Sequence, residues 1–93
     1  MEFEWDPAKA ASNLEKHGID FEDALRVFAD PSARTTDVTR PEHLEDRFKV
    51  VGMVDDRIIA VIYTDRGAAR RIISARRSRK NEQRDYFDEK EAP

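Results

Sequence analysis

The segment Arg70–Tyr86, RRIISARRSRKNEQRDY, joins a short apolar strand to a basic stretch with the composition of a polar helix. Between Arg66 and Arg84 the chain has eight Lys or Arg against one acid, Glu82, so this stretch carries +7 and the rest of the chain −10. The overall charge of −3 is therefore the sum of two parts of the chain with large and opposite charges. Because net charge describes an average, the acidic total does not exclude a polyanionic ligand, and the local excess of cations predicts one.

The length and composition of the chain predict one small domain, residues 1–93. There is no cysteine, and the two histidines, His17 and His43, are not at ligand spacing, so we expect neither a metal nor a cofactor. The longest apolar run, Ile58–Tyr63, is too short to cross a bilayer, and the acidic N-terminus lacks the features of a signal peptide. These features predict a cytoplasmic protein without a membrane partner. We expect a frayed tail over about residues 89–93.

The N-terminal residues predict a short strand and then a helix. Phe3 and Trp5 alternate with acidic residues, which is the pattern of a half-buried strand. Asp6 before Pro7 is a strong helix start, and the helix is expected to reach about His17. Its predicted apolar stripe comprises Ala10, Leu14 and His17, and its predicted polar stripe comprises Lys9, Asn13 and Lys16. The polar stripe is either a solvated face or an extension of a binding groove.

A second helix and a set of strands follow. Asp20 is the expected N-cap of this helix, Phe21 and Phe28 lie on its buried face, and Asp30 before Pro31 ends it. Residues 32–40 are polar and rich in threonine, so they predict an edge strand or an extended loop. Apolar patterns then predict three antiparallel strands, 47–54, 57–64 and 71–75, and a last helix over 79–88 that Ser78 caps.

The predicted order β-α-α-β-β-β-β-α defines an α+β domain. Two N-terminal helices are expected to pack on a small antiparallel sheet of three to four strands plus a short N-terminal strand, with a basic helix at the C-terminus. Tyr86 and Phe87 are the only sizeable apolar residues of that last helix. A helix this polar lies on the surface with a few anchors, or is completed by a partner or a polyanion.

Three stretches together resemble the BrnT family of bacterial toxins. They are FEWDPAKAASNLEKHGIDFEDALRVFADP at residues 3–31, DRFKVVG at 46–52, and RRIISARRSRKNEQRDY at 70–86. The resemblance implies a RelE-like ribonuclease toxin fold and a cytoplasmic RNA target whose cleavage inhibits translation. It also implies a cognate BrnA-like antitoxin that neutralises the toxin, supplies the DNA-binding element and mediates oligomerisation.

Metal-free RNA cleavage requires that the 2′-hydroxyl lose a proton, that charge on the phosphate be stabilised, and that the leaving oxygen gain a proton. Arginine meets the second requirement well, because its planar fork matches phosphate oxygens. Arg76 is the leading candidate, since it closes the IISAR strand and belongs to the family motif. Arg47 and Lys49 share a face of a neighbouring strand, and Glu45 is close to Arg47, so a catalytic cluster beside Arg76 is predicted. The alternative for Glu45 and Arg47 is a surface ion pair.

His17 and Tyr86 complete the predicted catalytic residues. Histidine is the residue type that titrates near neutral pH, although at a helix end it can also serve as a cap. Tyr86 shares a helical face with Glu82 and Arg79, and either anchors the helix or contacts RNA.

The remaining cations of interest are predicted RNA contacts. They are Lys16, Lys49, Arg71, Arg77, Arg79, Lys80 and Arg84. Each could instead contact the antitoxin. The sequence therefore predicts a metal-independent endoribonuclease toxin, and the alternative is a non-catalytic nucleic-acid-binding or partner-binding subunit of a transcriptional repressor complex.

Overall fold

The computed structural model describes residues 1–91, and side chains as far as Asp88. The tail expected to fray, about residues 89–93, lies outside the residues whose side chains are described. The elements are β1 Glu2–Glu4, α1 Pro7–His17, α2 Phe21–Ala24 continuing as the 3-10 helix Leu25–Ala29, β2 Arg34–Asp37, β3 Phe48–Val54, β4 Arg57–Arg66, β5 Ala69–Arg77 and α3 Lys80–Glu91. The predicted α+β class is confirmed. Over residues 1–91, every helix is too short or too polar to cross a bilayer.

The strands form one sheet in the order β1-β5-β4-β3-β2. Strands β2 to β5 make an antiparallel meander, whereas β1 pairs with β5 in parallel. The segment predicted as an edge strand or loop forms the edge strand β2. The sheet is therefore mixed rather than purely antiparallel, because β1, the first element of the chain, runs parallel to β5, the last strand.

The two faces of the sheet are covered differently. The N-terminal helices cover one face, where Phe21, Val27, Val61 and Ile72 are almost fully buried. On the opposite face α3 packs through Tyr86 against a smaller apolar cluster. Most side chains of α3 are exposed, as predicted for a polar helix with few anchors. Part of the second face therefore remains open to solvent beside α3.

Helix α1 contacts the sheet through a residue that the sequence pattern assigns to its solvated side. Asn13 is buried, and Leu14, predicted to be on the apolar stripe, is 47% exposed. The Asn13 amide donates to the carbonyls of Ala75 and Ile19 at 2.8 and 3.1 Å and accepts from the Ala75 N–H at 3.1 Å. Since β1 pairs only with residues 69–71 of β5, this amide satisfies backbone groups further along the open edge. Ala10 of the predicted apolar stripe does pack against the core, whereas Leu14 was assigned to the wrong face, because apolar periodicity does not reveal the polar pairing of Asn13.

We expect Asn13→Ala to lower the free energy of unfolding by about 2–4 kcal/mol, because it leaves buried backbone groups of Ala75 and Ile19 without partners. Urea unfolding measures this change. Ser12→Ala, at the exposed neighbouring position, is the matched control and should stay within about 0.5 kcal/mol of the wild type. Equal stability of the two variants would show that the amide bonds do not stabilise the fold.

The start of α3 also differs from the prediction. The helix begins at Lys80, and Ser78 Oγ is buried without a hydrogen-bond partner among the described residues, so Ser78 is not the cap. The carboxylate of Glu82 accepts from the Arg79 N–H at 2.7 Å instead. This is the glutamate half of a capping box, which can satisfy a free amide without a serine.

Candidate functional site

A groove of about 410 Å³ opens on the sheet face that carries α3. We call it the cationic groove. Its lining includes five Lys or Arg and one histidine, together with two apolar residues; the set is Val38, Arg40, His43, Arg47, Lys49, Ile62, Arg76 and Arg79. Strands β3, β4 and β5 form its floor, and the loop between β2 and β3 forms one wall. The groove thus brings together cations that are far apart in the sequence.

Strand alternation directs two of these cations to the same face. Ala75 is fully buried in the main core, so Arg76, the next residue of β5, points to the opposite face. Val50 belongs to the same core, which places Lys49 of β3 on the face of Arg76. The small residue Ala60 of β4 lies between these strands and pairs with Arg76. Its size leaves room for the first turns of α3 above the sheet.

Glu82 joins these two cations. Its carboxylate accepts from Arg76 Nη1 and Nη2 at 2.8 and 2.9 Å and from Lys49 Nζ at 2.8 Å, in addition to the Arg79 N–H. The residue is only 4% exposed. The Arg76 hydrogen bonds, helped by Lys49 and Arg79, lower the pKa of Glu82 to about 2 against the opposing effect of burial. Glu82 is therefore an ionised anchor that holds Arg76 and Lys49 side by side.

Sequence reasoning missed Glu82 as a site residue. The available signal was its position as the single acid within the basic stretch between Arg66 and Arg84. A lone carboxylate among eight cations is expected to have a close ion-pair partner. Which cations it contacts depends on how α3 lies on the sheet.

Arg76 keeps donors for a ligand while it binds Glu82. The guanidinium has five N–H groups, of which Glu82 takes two and the Arg77 carbonyl takes one at 3.2 Å. The remaining two, Nε–H and the second Nη2–H, lie along one edge of the planar group. That edge is a complete fork for two oxygen atoms of one phosphate. The Glu82 hydrogen bonds also raise the pKa of Arg76, so its charge is retained.

His43 is a second residue that the sequence analysis did not select. Its Nδ1 accepts from the Arg40 N–H at 3.1 Å, and its Nε2 lies 3.4 Å from Arg47 Nη1. The loop that places His43 is closed by a hydrogen bond from the Val38 N–H to the Arg47 carbonyl at 2.9 Å. No local sequence signal predicts this closure.

Arg47 reaches the cationic groove, but Glu45 does not line it. Glu45 Oε1 accepts from Arg66 Nη2 at 2.9 Å, and Oε2 lies 3.5 Å from Arg47 Nε. The Arg66 hydrogen bond lowers the pKa of Glu45. Glu45 lines an adjacent depression of about 300 Å³ with Arg66, Arg71 and His43, which we call the linking depression. The predicted acid and base cluster is therefore divided between two neighbouring depressions.

The two other predicted catalytic residues lie elsewhere. His17 lines a third depression, a groove of about 210 Å³ between α1 and β5, which we call the α1 groove. Tyr86 is 2% exposed, and its hydroxyl donates to Asp30 Oδ2 at 2.7 Å. The pKa of Tyr86 is raised mainly by burial and, as the second cause, by its hydrogen bond to Asp30. Its position matches the alternative role of anchoring α3.

The predicted RNA contacts are distributed over three surfaces. Lys49 and Arg79 line the cationic groove, and Lys16 lines the α1 groove. Arg71 lines the linking depression and pairs with Glu4 at 2.6 Å. Three exposed cations extend from the end of β5 along α3: Arg77, Lys80 and Arg84. Among the side chains that the structure describes, no group of three or more His, Asp or Glu is placed to hold a metal ion.

The fold and the cationic groove define a small α+β protein with one sheet face suited to an anionic ligand. A family model described as ribonuclease toxin, BrnT, of type II toxin-antitoxin system matches residues 5–82. The match covers most of the chain, and the protein belongs to this family. Membership identifies it as a ribonuclease toxin with an RNA target and an antitoxin protein partner. A search of curated proteins found no match.

Proposed function

We propose that this protein is a metal-independent endoribonuclease that cleaves cellular RNA in the cytoplasm, and that this cleavage inhibits translation. The observation that best supports the proposal is the Nε and Nη2 edge of Arg76, which has no partner among the described residues while Glu82 holds the guanidinium in a groove with four other cations. A fixed fork of donors can stabilise the extra negative charge of a pentavalent phosphate without rearranging during the reaction.

In the proposed reaction the RNA 2′-oxygen attacks the adjacent phosphorus as its proton leaves. The bond from phosphorus to the 5′-oxygen breaks, and that oxygen takes up a proton, which yields a 2′,3′-cyclic phosphate and a 5′-hydroxyl. Arg76 binds two non-bridging phosphate oxygens in this scheme, and Lys49 adds a second positive charge beside it. Glu82 is unsuited to accept the proton, because its pKa of about 2 makes it a weak base. The proposed contribution of Arg76 and Lys49 is thus to stabilise the charge on the phosphate and to orient the RNA.

A BrnA-like antitoxin is proposed as the neutralising partner. The exposed cations Arg77, Lys80 and Arg84 lie at the end of β5 and along α3, and α3 begins directly after Arg79 of the cationic groove. An acidic antitoxin segment bound there would cover the entrance to the groove and compete with RNA phosphates. The same segment is the proposed route to oligomerisation of the complex.

We expect the purified protein to cleave RNA in the presence of EDTA, because the proposed mechanism uses only side chains. Product formation on a labelled single-stranded RNA, analysed by denaturing electrophoresis, measures this activity. The alternative, a non-catalytic binding subunit of a repressor complex, is favoured by one observation: Glu82 partly neutralises Arg76 and Lys49. Salt-dependent binding with no product would support that alternative and contradict the ribonuclease mechanism.

A further inference from the structure

The α1 groove is continuous with the cationic groove. The linking depression shares His43 and Arg47 with the cationic groove, and it shares Lys9 and Ile73 with the α1 groove. The three depressions therefore form one surface that crosses the sheet face and continues over the edge of β5 to helix α1. Its far end is lined by side chains that the proposed catalytic mechanism does not use.

Asn13 orients the cations at this far end. Its hydrogen bonds to Ala75 turn one side of α1 towards the edge of β5. Lys9 and Lys16 lie four residues before and three residues after Asn13, so they project from the same side of the helix. Both are exposed, and both line the α1 groove. The buried amide thus places two ammonium groups beside the strand that carries Arg76.

The charge of the α1 groove differs from that of its neighbour. Arg66 and Arg71 in the linking depression are paired with Glu45 and Glu4. Lys9 and Lys16 have no ion-pair partner among the residues that the structure describes, and no described acid lines their groove. An anionic ligand would therefore meet two cations whose charge is not already neutralised.

Distances along the elements suit a single RNA strand. Ser74, on the wall of the α1 groove, is two residues from Arg76, or about 7 Å along the strand. Lys9 and Lys16 are seven residues apart, or about 10 Å along the helix, which leaves room for more than one phosphate. The path bends over the edge of the sheet, and a flexible single strand can follow it more easily than a stiff duplex.

We propose that the α1 groove is a subsite for the phosphates of single-stranded RNA that flank the cleavage point, with Lys9 and Lys16 as the contacts. The proposal rests on the function assigned to the cationic groove. It also gives His17 a different role from the predicted catalytic one: the ring lies on the wall of this subsite, where it can stack against a flanking base.

The test compares the wild type with Lys9→Ala/Lys16→Ala. Binding is measured by fluorescence anisotropy at several salt concentrations, on RNA of about 12 nucleotides whose 2′-hydroxyls are all methylated so that it cannot be cleaved. Loss of two phosphate contacts should reduce the slope of log Kobs against log salt by about 1.4, or about 0.7 for each contact. A methylated dinucleotide carries a single phosphate, so its binding should differ much less between the two proteins than that of the longer RNA.

The matched control is Arg26→Ala/Arg57→Ala, which removes two exposed cations that do not line any of the three depressions. Its slope should equal that of the wild type. An unchanged slope in Lys9→Ala/Lys16→Ala, or an equal loss of dinucleotide binding, would overturn the subsite. Because this RNA cannot be cleaved, the result is independent of the EDTA experiment, whose failure would contradict the ribonuclease mechanism instead.

Discussion

Replacing Arg76 by alanine should reduce kcat/KM for RNA cleavage by about 100-fold to 1,000-fold, the usual effect of removing a principal donor to transition-state charge. The substitution removes the Nε and Nη2 edge that the cationic groove offers to phosphate. Arg76→Lys should recover only part of the activity, since an ammonium keeps the charge but cannot form the bidentate contact. Initial rates on a labelled single-stranded RNA measure both effects.

Two controls separate chemistry from folding. Arg76→Ala leaves the buried carboxylate of Glu82 with fewer partners, which can destabilise the fold. The double variant Arg76→Ala/Glu82→Gln removes this buried charge as well. It should therefore stay folded and remain inactive. Arg77→Ala removes the adjacent arginine, which lines a different depression, and should cost less than about tenfold. Wild-type rates in the folded double variant would remove the role proposed for Arg76.

The second large effect is on stability in acid. The folded pKa of Glu82 is about 2, below its ordinary value of 4.5, so the folded state binds this proton less readily than the unfolded state. The stabilisation is therefore fully present above pH 4.5 and is lost as the pH falls from 4.5 towards 2. The difference corresponds to about 3 kcal/mol of unfolding free energy, which is large for a domain of this size.

Glu82→Gln should reproduce the protonated state at every pH. We expect it to lower the free energy of unfolding at neutral pH by about 3 kcal/mol, and the gap to the wild type should close below pH 4.5. Urea unfolding across that window measures the gap. Other carboxylates, including Glu45, also have lowered pKa values, so the difference between wild type and variant isolates Glu82.

Glu22→Gln is the control for this series, since Glu22 is exposed and makes no ion pair among the described residues. Its unfolding free energy should follow that of the wild type at all pH values. If the wild type and Glu82→Gln show the same difference at neutral pH and near pH 2, Glu82 is not the ionised anchor that the hydrogen bonds indicate.

Much of the fold was predictable because it depends on local patterns. The apolar periodicity and the helix start at Asp6 and Pro7 were enough for the order of the elements and for the α+β class. The exposed basic character of α3 also followed from composition. The roles of Asn13 and Leu14 did not follow from local patterns, because the Asn13 amide forms hydrogen bonds with Ala75, which is 62 residues away in the sequence.

The candidate site was predictable to a similar extent. Arg76, Arg47 and Lys49 were selected from strand alternation and from the resemblance to the family, and they meet in one groove. Glu82 and His43 were missed. Their roles arise from the docking of α3 on the sheet and from the closure of the loop between β2 and β3.

The sequence alone determines the polarised charge distribution, the α+β order of the elements and the strand that ends in arginines. These features depend only on composition and on neighbours along the chain. Only the tertiary structure decides which cation meets which acid. Hydrogen bonds depend on distances of about 3 Å and on direction, and such contacts between distant residues are set by packing. The basic stretch predicted an anionic ligand, and Glu82 determines how Arg76 faces it.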